Sequence, residues 1–300
     1  MYAWRKTAGV RNAIIVSALP VASARRAYIV PTITPRIGQA GTHISTDKHS
    51  ALPPSRWHEK RERENDNGKP LEMAVPGTHT RVLQILSEFS DTPRSTTALD
   101  IGAGMGALSA RLATAGYQVT ACDLYPEAFA VEGIECRRVG PDAALPFDDA
   151  SADVALAVEV MEHIDAHEVL FSEVRRVLKP GGLFLFTTPN ILSLKSRLMF
   201  LLTGYFYSFP SLDPEICDPV EQHITAFSLD RYRWRLRQAG LEFLHVAADK
   251  RQSTSKVLSF LAPLIWAINR KKAKQSDSVR LQNDLTVLQA RSLIVLARRP

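Results

Sequence analysis

The sequence predicts an α/β domain: a doubly wound, Rossmann-like sheet, mostly parallel, with helices on both faces. Three observations carry that expectation. Short apolar runs alternate with stretches of helical period from residue 98 onward. Those runs are apolar along most of their length, as strands buried on both faces are. A glycine-rich turn, Gly102-Ala103-Gly104-Met105-Gly106, stands where a first strand hands over to a helix.

The elements follow in order. Val82, Leu83, Ile85, Leu86 and Phe89 recur at helical spacing after Pro76-Gly77, which predicts an entry helix. Strands are predicted at Ala98 to Ile101, Gln118 to Cys122, Ile134 to Val139, Val154 to Val158 and Leu183 to Thr187, with helices near Ala107 to Ala115 and Ala166 to Leu178. After a less regular stretch, a helix over Leu229 to Ala239 and strands over Leu241 to Ala247 and Ser292 to Ala297 complete the sheet. Three hundred residues, 45% of them hydrophobic, suffice for one such domain and an appendage.

The appendage is basic. Residues 1 to 70 hold 12 Lys/Arg against 5 Asp/Glu, or +7 of the chain's net +6, so residues 71 to 300 sum to −1. No acid precedes Asp47, and Arg5, Lys6, Arg11, Arg25, Arg26 and Arg36 stand among Ala, Ser, Thr and Val, a composition like an organellar transit peptide. Ala13 to Ala24 also reads as a short signal core, and a disordered extension is the third reading. Residues 52 to 70 are Pro-rich and then densely charged, too polar for a core, which puts the domain boundary near residue 70. Cys122, Cys136 and Cys217 are odd in number without close pairing, so neither a disulfide framework nor a zinc site is suggested.

In the glycine turn, a Cβ would block both the tight dihedral angles and close approach to a ligand. The helix that follows offers free N–H groups and a partial positive charge. Asp123, ending the second strand, suits the two hydroxyls of a ribose. These features fit a dinucleotide site too, since Ala107 completes G-x-G-x-x-A, so a nicotinamide oxidoreductase is one reading.

Further motifs separate the readings. Asp100-Ile-Gly-Ala-Gly-Met-Gly, Asp142-Ala-Ala-Leu-Pro-Phe-Asp-Asp, Glu159-Val-Met-Glu-His-Ile and Val177-Leu-Lys-Pro-Gly-Gly agree in order and spacing. Over residues 76 to 248 they resemble the class I S-adenosylmethionine-dependent methyltransferases, and the run from Glu159 to Ile164 is most similar to the branch of ubiquinone-type O-methyltransferases. The resemblance implies strand order 3-2-1-4-5-7-6 and S-adenosylmethionine as cofactor. It implies that Gly102, Gly104 and Gly106 surround the methionine part, with Asp100 anchoring the loop and the amino group. Asp123, with Leu124 beside it, would hold the ribose, and Asp142 with the Ala143 N–H would read the adenine. Glu159 would contact the cofactor or brace its loop.

A sulfonium methyl is already activated, so aligning the acceptor is the main lever. A hydroxyl acceptor gains nucleophilicity as its proton leaves, and histidine is the natural base. His223 is taken as the base, with His163 next to the methyl. No metal is expected, because no His and carboxylate cluster stands at ligand spacing. Ile191 to Val220, rich in Leu, Phe and Tyr, reads as a lid or acceptor pocket, or else as core.

A second apolar stretch, Val257 to Ile268, precedes Arg270-Lys271-Lys272-Ala273-Lys274, so residues 255 to 275 suit a membrane surface or a packing partner. It is too short to span a bilayer. The acceptor is read as a small molecule: a quinone precursor, a lipid-linked intermediate or a sugar. A nucleic-acid partner is not expected, because the catalytic body carries no basic excess. The location expected is cytoplasmic or membrane-peripheral, with organellar import open. A module that binds the cofactor without catalysis is the remaining alternative.

Overall fold

The computed structural model describes residues 70–90, 96–140 and 144–300. The basic arm, with both its targeting readings, lies outside the described residues, as do Asp142 and Ala143. Seven strands form one sheet: β1 Thr97–Ile101, β2 Gln118–Asp123, β3 Cys136–Arg138, β4 Ala152–Ala157, β5 Leu178–Pro189, β6 Glu242–Ala248 and β7 Ser292–Arg298. Their order is β3-β2-β1-β4-β5-β7-β6, the order the resemblance implies. β1 to β5 pair in parallel, and β7 runs antiparallel to both its neighbours.

The helices are α1 Thr78–Phe89, α2 Ala107–Thr114, α3 His167–Val177, α4 Leu194–Thr203, α5 Leu229–Gln238, α6 Ser253–Val257, α7 Ala262–Gln275, α8 Asp277–Gln282 and α9 Leu285–Gln289. Alternation along the strands divides the core in two. Val154, Leu156, Leu183, Leu185, Ile294 and Leu296 pack with Val82, Ile85 and Leu86 of α1 and Leu108 and Leu112 of α2. Their neighbours Ala155, Ala157, Phe184, Phe186, Val295 and Ala297 face α3 and α5 on the other side.

α3 shows how the helices are specified. Leu170, Phe171, Val174 and Val177 make one buried stripe, and Arg175 and Arg176 in the last turn complement the helix dipole. The Phe171 ring stands 5.9 Å from Phe184 and 5.8 Å from Phe186. Burying each such ring contributes about 1.5–3 kcal/mol, so cutting Phe171 to Ala would cost about 3–5 kcal/mol.

Two strands differ from their predicted bounds. β3 pairs over three residues rather than Ile134 to Val139, and its Arg137 and Arg138 are exposed. A short, charged edge strand resists pairing with other chains. β5 runs back to Leu178, because Gly181 and Gly182 exchange backbone hydrogen bonds with Arg299 just beyond β7.

Candidate functional site

The candidate residues gather at the carboxyl edge of the parallel strands, around the point where the chain order departs on either side of β1 and β4. Open α/β sheets bind ligands at such a switch point. The turn after β1 is held by Gly102 and Ala103 N–H groups donating to Cys122 O over 2.8 and 3.2 Å. Gly102 and Gly106 have φ of +70° and +91°, where L side chains are strained. A Cβ would also strike Val160 at Gly102, and Val131 and Phe129 at Gly106. Asp100 is 1% exposed and accepts from Ser109 Oγ over 2.6 Å, which ties β1 to the first turn of α2. Burial pushes its carboxyl up to about 6.

Asp123 stands where the sequence puts it, at the end of β2. Its Oδ2 accepts from Gly104 N–H and its Oδ1 from Tyr125 N–H, both over 2.8 Å. Leu124, between them, gives its carbonyl to Arg138 Nη1 over 2.6 Å. The segment after Asp142 and Ala143 is pinned to α3: Leu145 N–H donates to Glu173 Oε2, and Arg176 Nη2 donates to Leu145 O, each over 2.9 Å.

The corner after β4 carries the second group. Glu159 has φ +56°, a left-handed conformation that costs a non-glycine residue about 1–3 kcal/mol. It is held there by Thr187, whose Oγ1 accepts from Glu159 N–H over 2.7 Å and donates to its Oε1 over 3.2 Å. Burial raises its carboxyl above the usual range. Glu162 is fully buried, and neither carboxylate oxygen has a hydrogen-bond partner. Burial, and then the charge of Glu159, holds its carboxyl well above the usual range.

His163 Nδ1 donates to the carbonyls of Pro219 and Gln222 at 3.0 and 2.9 Å, and His223 Nδ1 donates to Ser208 O at 2.7 Å. With Nδ1 of each ring donating to a carbonyl, Nε2 is the nitrogen that carries the lone pair whenever the ring is neutral. Burial keeps His163 below the usual histidine range and so neutral. The two rings meet edge to face at 5.0 Å, and the ring of Phe209 lies 5.6 Å from His223.

One donor atom each from Glu162, His163 and His223 lie within 4.8 Å of one another. This corrects the premise that no histidine and carboxylate cluster forms: the loop from 219 to 225 folds back, with Ile224 and Thr225 N–H both donating to Glu162 O. The three are a donor set that a divalent cation could use.

Sequence reasoning missed the link between the two groups. Tyr125 OH donates to Asp218 Oδ2 over 3.0 Å, and Asp218 caps the single turn Pro219–Glu221 whose first carbonyl holds His163. The insertion from 191 to 220 is the stretch that reads as a lid, an acceptor pocket or core. It folds into α4 and an irregular return, Leu201 and Leu202 are 79% and 70% exposed, and Phe209 alone of its aromatic side chains is buried.

A family profile described as a methyltransferase domain matches residues 77–246. Sterol 4-C-methyltransferase strm-1 of Caenorhabditis elegans is 34% identical over 128 residues, 39% of this chain and 37% of that protein. Dimethylglycine N-methyltransferase of Parasynechococcus marenigrum is 33% identical over 132 residues, 39% of this chain and 46% of its own length. Ubiquinone biosynthesis O-methyltransferase of Burkholderia vietnamiensis is 34% identical over 119 residues, 37% of this chain and 50% of its own length. The chain thus spans half or less of each of these relatives, which methylate carbon, nitrogen and oxygen respectively by name. A match over more than half of the chain, in the part that builds most of the sheet, makes this protein a member of the methyltransferase domain family, a class I S-adenosylmethionine-dependent methyltransferase.

Proposed function

We propose that this enzyme methylates an oxygen of a small or lipid-linked acceptor, with His223 as the base. One observation carries the reading: His163 and His223 both commit Nδ1 to backbone carbonyls, which reserves two Nε2 lone pairs beside the buried Glu162. S-adenosylmethionine supplies an activated methyl group, so the chain's own residues need to bind, orient and take up a proton.

The residues suit that cofactor. Each Asp123 oxygen has accepted one N–H and keeps a lone pair for a ribose hydroxyl. The glycine turn leaves bare backbone where side chains would stand, and Asp100 fixes its base. Asp142 and the Ala143 N–H would read the adenine, and Glu159 would brace the loop beside it. His163 and Phe209 hold the His223 ring in place, and His223 Nε2 takes the hydroxyl proton as the oxygen attacks.

The test is cell extract incubated with enzyme and isotopically labelled methyl donor, followed by mass spectrometry of the labelled product. An O-linked label supports the reading, whereas an N- or C-linked label, or no labelled product, overturns it. In His223→Ala, turnover should fall while cofactor affinity holds; equal turnover would remove His223 from the mechanism.

The unpartnered, buried carboxylate of Glu162 favours a second reading of the cluster, as a divalent-cation site. Activity lost to a chelator and restored by a cation would assign Glu162, His163 and His223 as ligands.

A further inference from the structure

We propose that α4 and α7 together form a surface that lies on an anionic lipid bilayer. These two helices, far apart in sequence, meet at their first residues and through α6 and the turn Leu258–Leu261 that lead into α7. Leu194 of α4 shares a small core with Ala262 of α7 and Leu288, against which Leu258 and Ile265 pack. Lys195 N–H donates to Ser255 Oγ over 3.1 Å. Asn283 staples both helices, since its Oδ1 accepts from Arg197 Nη1 over 3.1 Å and its carbonyl from Trp266 Nε1 over 2.7 Å.

Outside that core, α4, α7 and residues 257–260 leading into α7 expose large apolar side chains. Leu201, Leu202, Val257, Phe260, Leu264 and Ile268 are 79, 70, 73, 72, 58 and 73% exposed. Single exposed leucines are ordinary, but six large apolar side chains on mutually packed elements mark an interaction surface.

Charge selects the occupant. Residues 191–212 and 250–276 contain no Asp or Glu, although the chain carries 31. Arg270, Lys271, Lys272 and Lys274 close α7, all four are exposed, and none takes part in an ion pair among the described residues. An apolar helix face beside unpaired cations is the composition of an interfacial helix, attracted by anionic headgroups and inserted by its apolar side. A second copy of the chain would bring the same positive charge against it, and residues 1 to 70, at +7, are repelled likewise.

The geometry is that of lying on a membrane: α7 has 14 residues, about 21 Å of helix, and no helix among the described residues is long and apolar enough to cross. α4 also leads into the return that carries Ser208 and Phe209 onto His223. Docking there would present a lipid-borne acceptor to the base, a consequence that rests on the function proposed above; the docking itself does not.

The test is flotation of the full chain with vesicles of phosphatidylcholine alone and of phosphatidylcholine with phosphatidylglycerol. The chain should float with the anionic vesicles at least about tenfold better than with the neutral ones, and less so at high salt. Phe260→Ser with Ile268→Ser, and separately Lys271→Glu with Lys272→Glu, should each lose about tenfold or more of that binding. Both variants should keep the melting shift given by S-adenosylhomocysteine, which shows that they fold.

Three results would overturn the proposal. The first is wild type left at the bottom with anionic vesicles. The second is a Phe260/Ile268 variant that floats like wild type, which would assign the binding to the basic arm. The third is variants that pass from dimer to monomer on size exclusion with flotation intact, which would give the surface to a second copy. Methyl transfer to a water-soluble acceptor in these variants distinguishes failure of docking from failure of the catalytic reading.

Discussion

The backbone N–H of Gly104 donates to Asp123 Oδ2 over 2.8 Å across 19 residues of sequence, so the glycine turn and the acid ending β2 form one unit. Tyr125 N–H fixes the other oxygen, and the carboxylate is oriented before any ligand arrives. Preorganisation of this kind lowers the ordering cost of binding.

Replacing Asp123 with Ala removes both clamps and the charged acceptor for the ribose. Hydrogen bonds to charged groups contribute about 1.5–3 kcal/mol each, so the dissociation constant for S-adenosylhomocysteine should rise at least about tenfold. Calorimetric titration measures it, with turnover at saturating cofactor expected within a few-fold of wild type. An unchanged dissociation constant would remove Asp123 from the ribose site.

Gly106→Ala places a Cβ against Val131 and Phe129 at a residue with φ +91°. The dihedral strain alone costs about 1–3 kcal/mol. Urea unfolding should therefore show a lower midpoint, and the cofactor-induced melting shift should shrink. A variant as stable as wild type would mean that the turn relaxes without cost.

Tyr125→Phe cuts the hydrogen bond to Asp218. The loss should be about 1 kcal/mol, and Asp218→Asn should add little to it in the double variant. Additive losses would show that the two side chains act independently, and that the cofactor and acceptor sides are not tethered through them.

His167 is fully buried against Phe227, and burial pushes its pKa down to about 4. The folded chain needs it neutral, while the unfolded chain takes up a proton near pH 6.5. Its contribution is thus complete above pH 6.5 and is lost as pH falls toward 4, by about 3 kcal/mol in all. Denaturant midpoints from pH 7.5 to 4 should fall less steeply for His167→Leu than for wild type. Parallel slopes would show that the ring is protonated in the fold.

The sheet order followed from the resemblance to the methyltransferase class, whereas the strands and the glycine turn were legible in the sequence because their signals are local, short apolar runs and glycines at fixed offsets. Asp123 and the run from Glu159 to His163 were legible for the same reason. The approach of His223 to Glu162 and His163 was not, since the 60 residues between them run through α3, β5, α4 and an irregular return and leave no spacing to read. The tie from Tyr125 to Asp218 spans 93 residues and carries no pattern. Apolar composition marked the stretch from 191 to 220 but neither the helix α4 within it nor its role, because pocket wall, core and exposed face are written in the same residues. The extension of β5 through Pro180-Gly181-Gly182 depends on a partner more than 100 residues away.

β7 lies between β5 and β6, both of which precede it in the chain. During synthesis, strands β1 to β4 can assemble the cofactor half from neighbours already made, whereas β6 has no place in the sheet until residues 292–298 emerge. The stretch between β5 and β7, which carries His223, α4 and α7, is therefore a loop closed by the final strand. Long-range closures of this kind are the slow steps of folding, so the glycine turn and Asp123 can be set in place before the loop that carries His223 is closed.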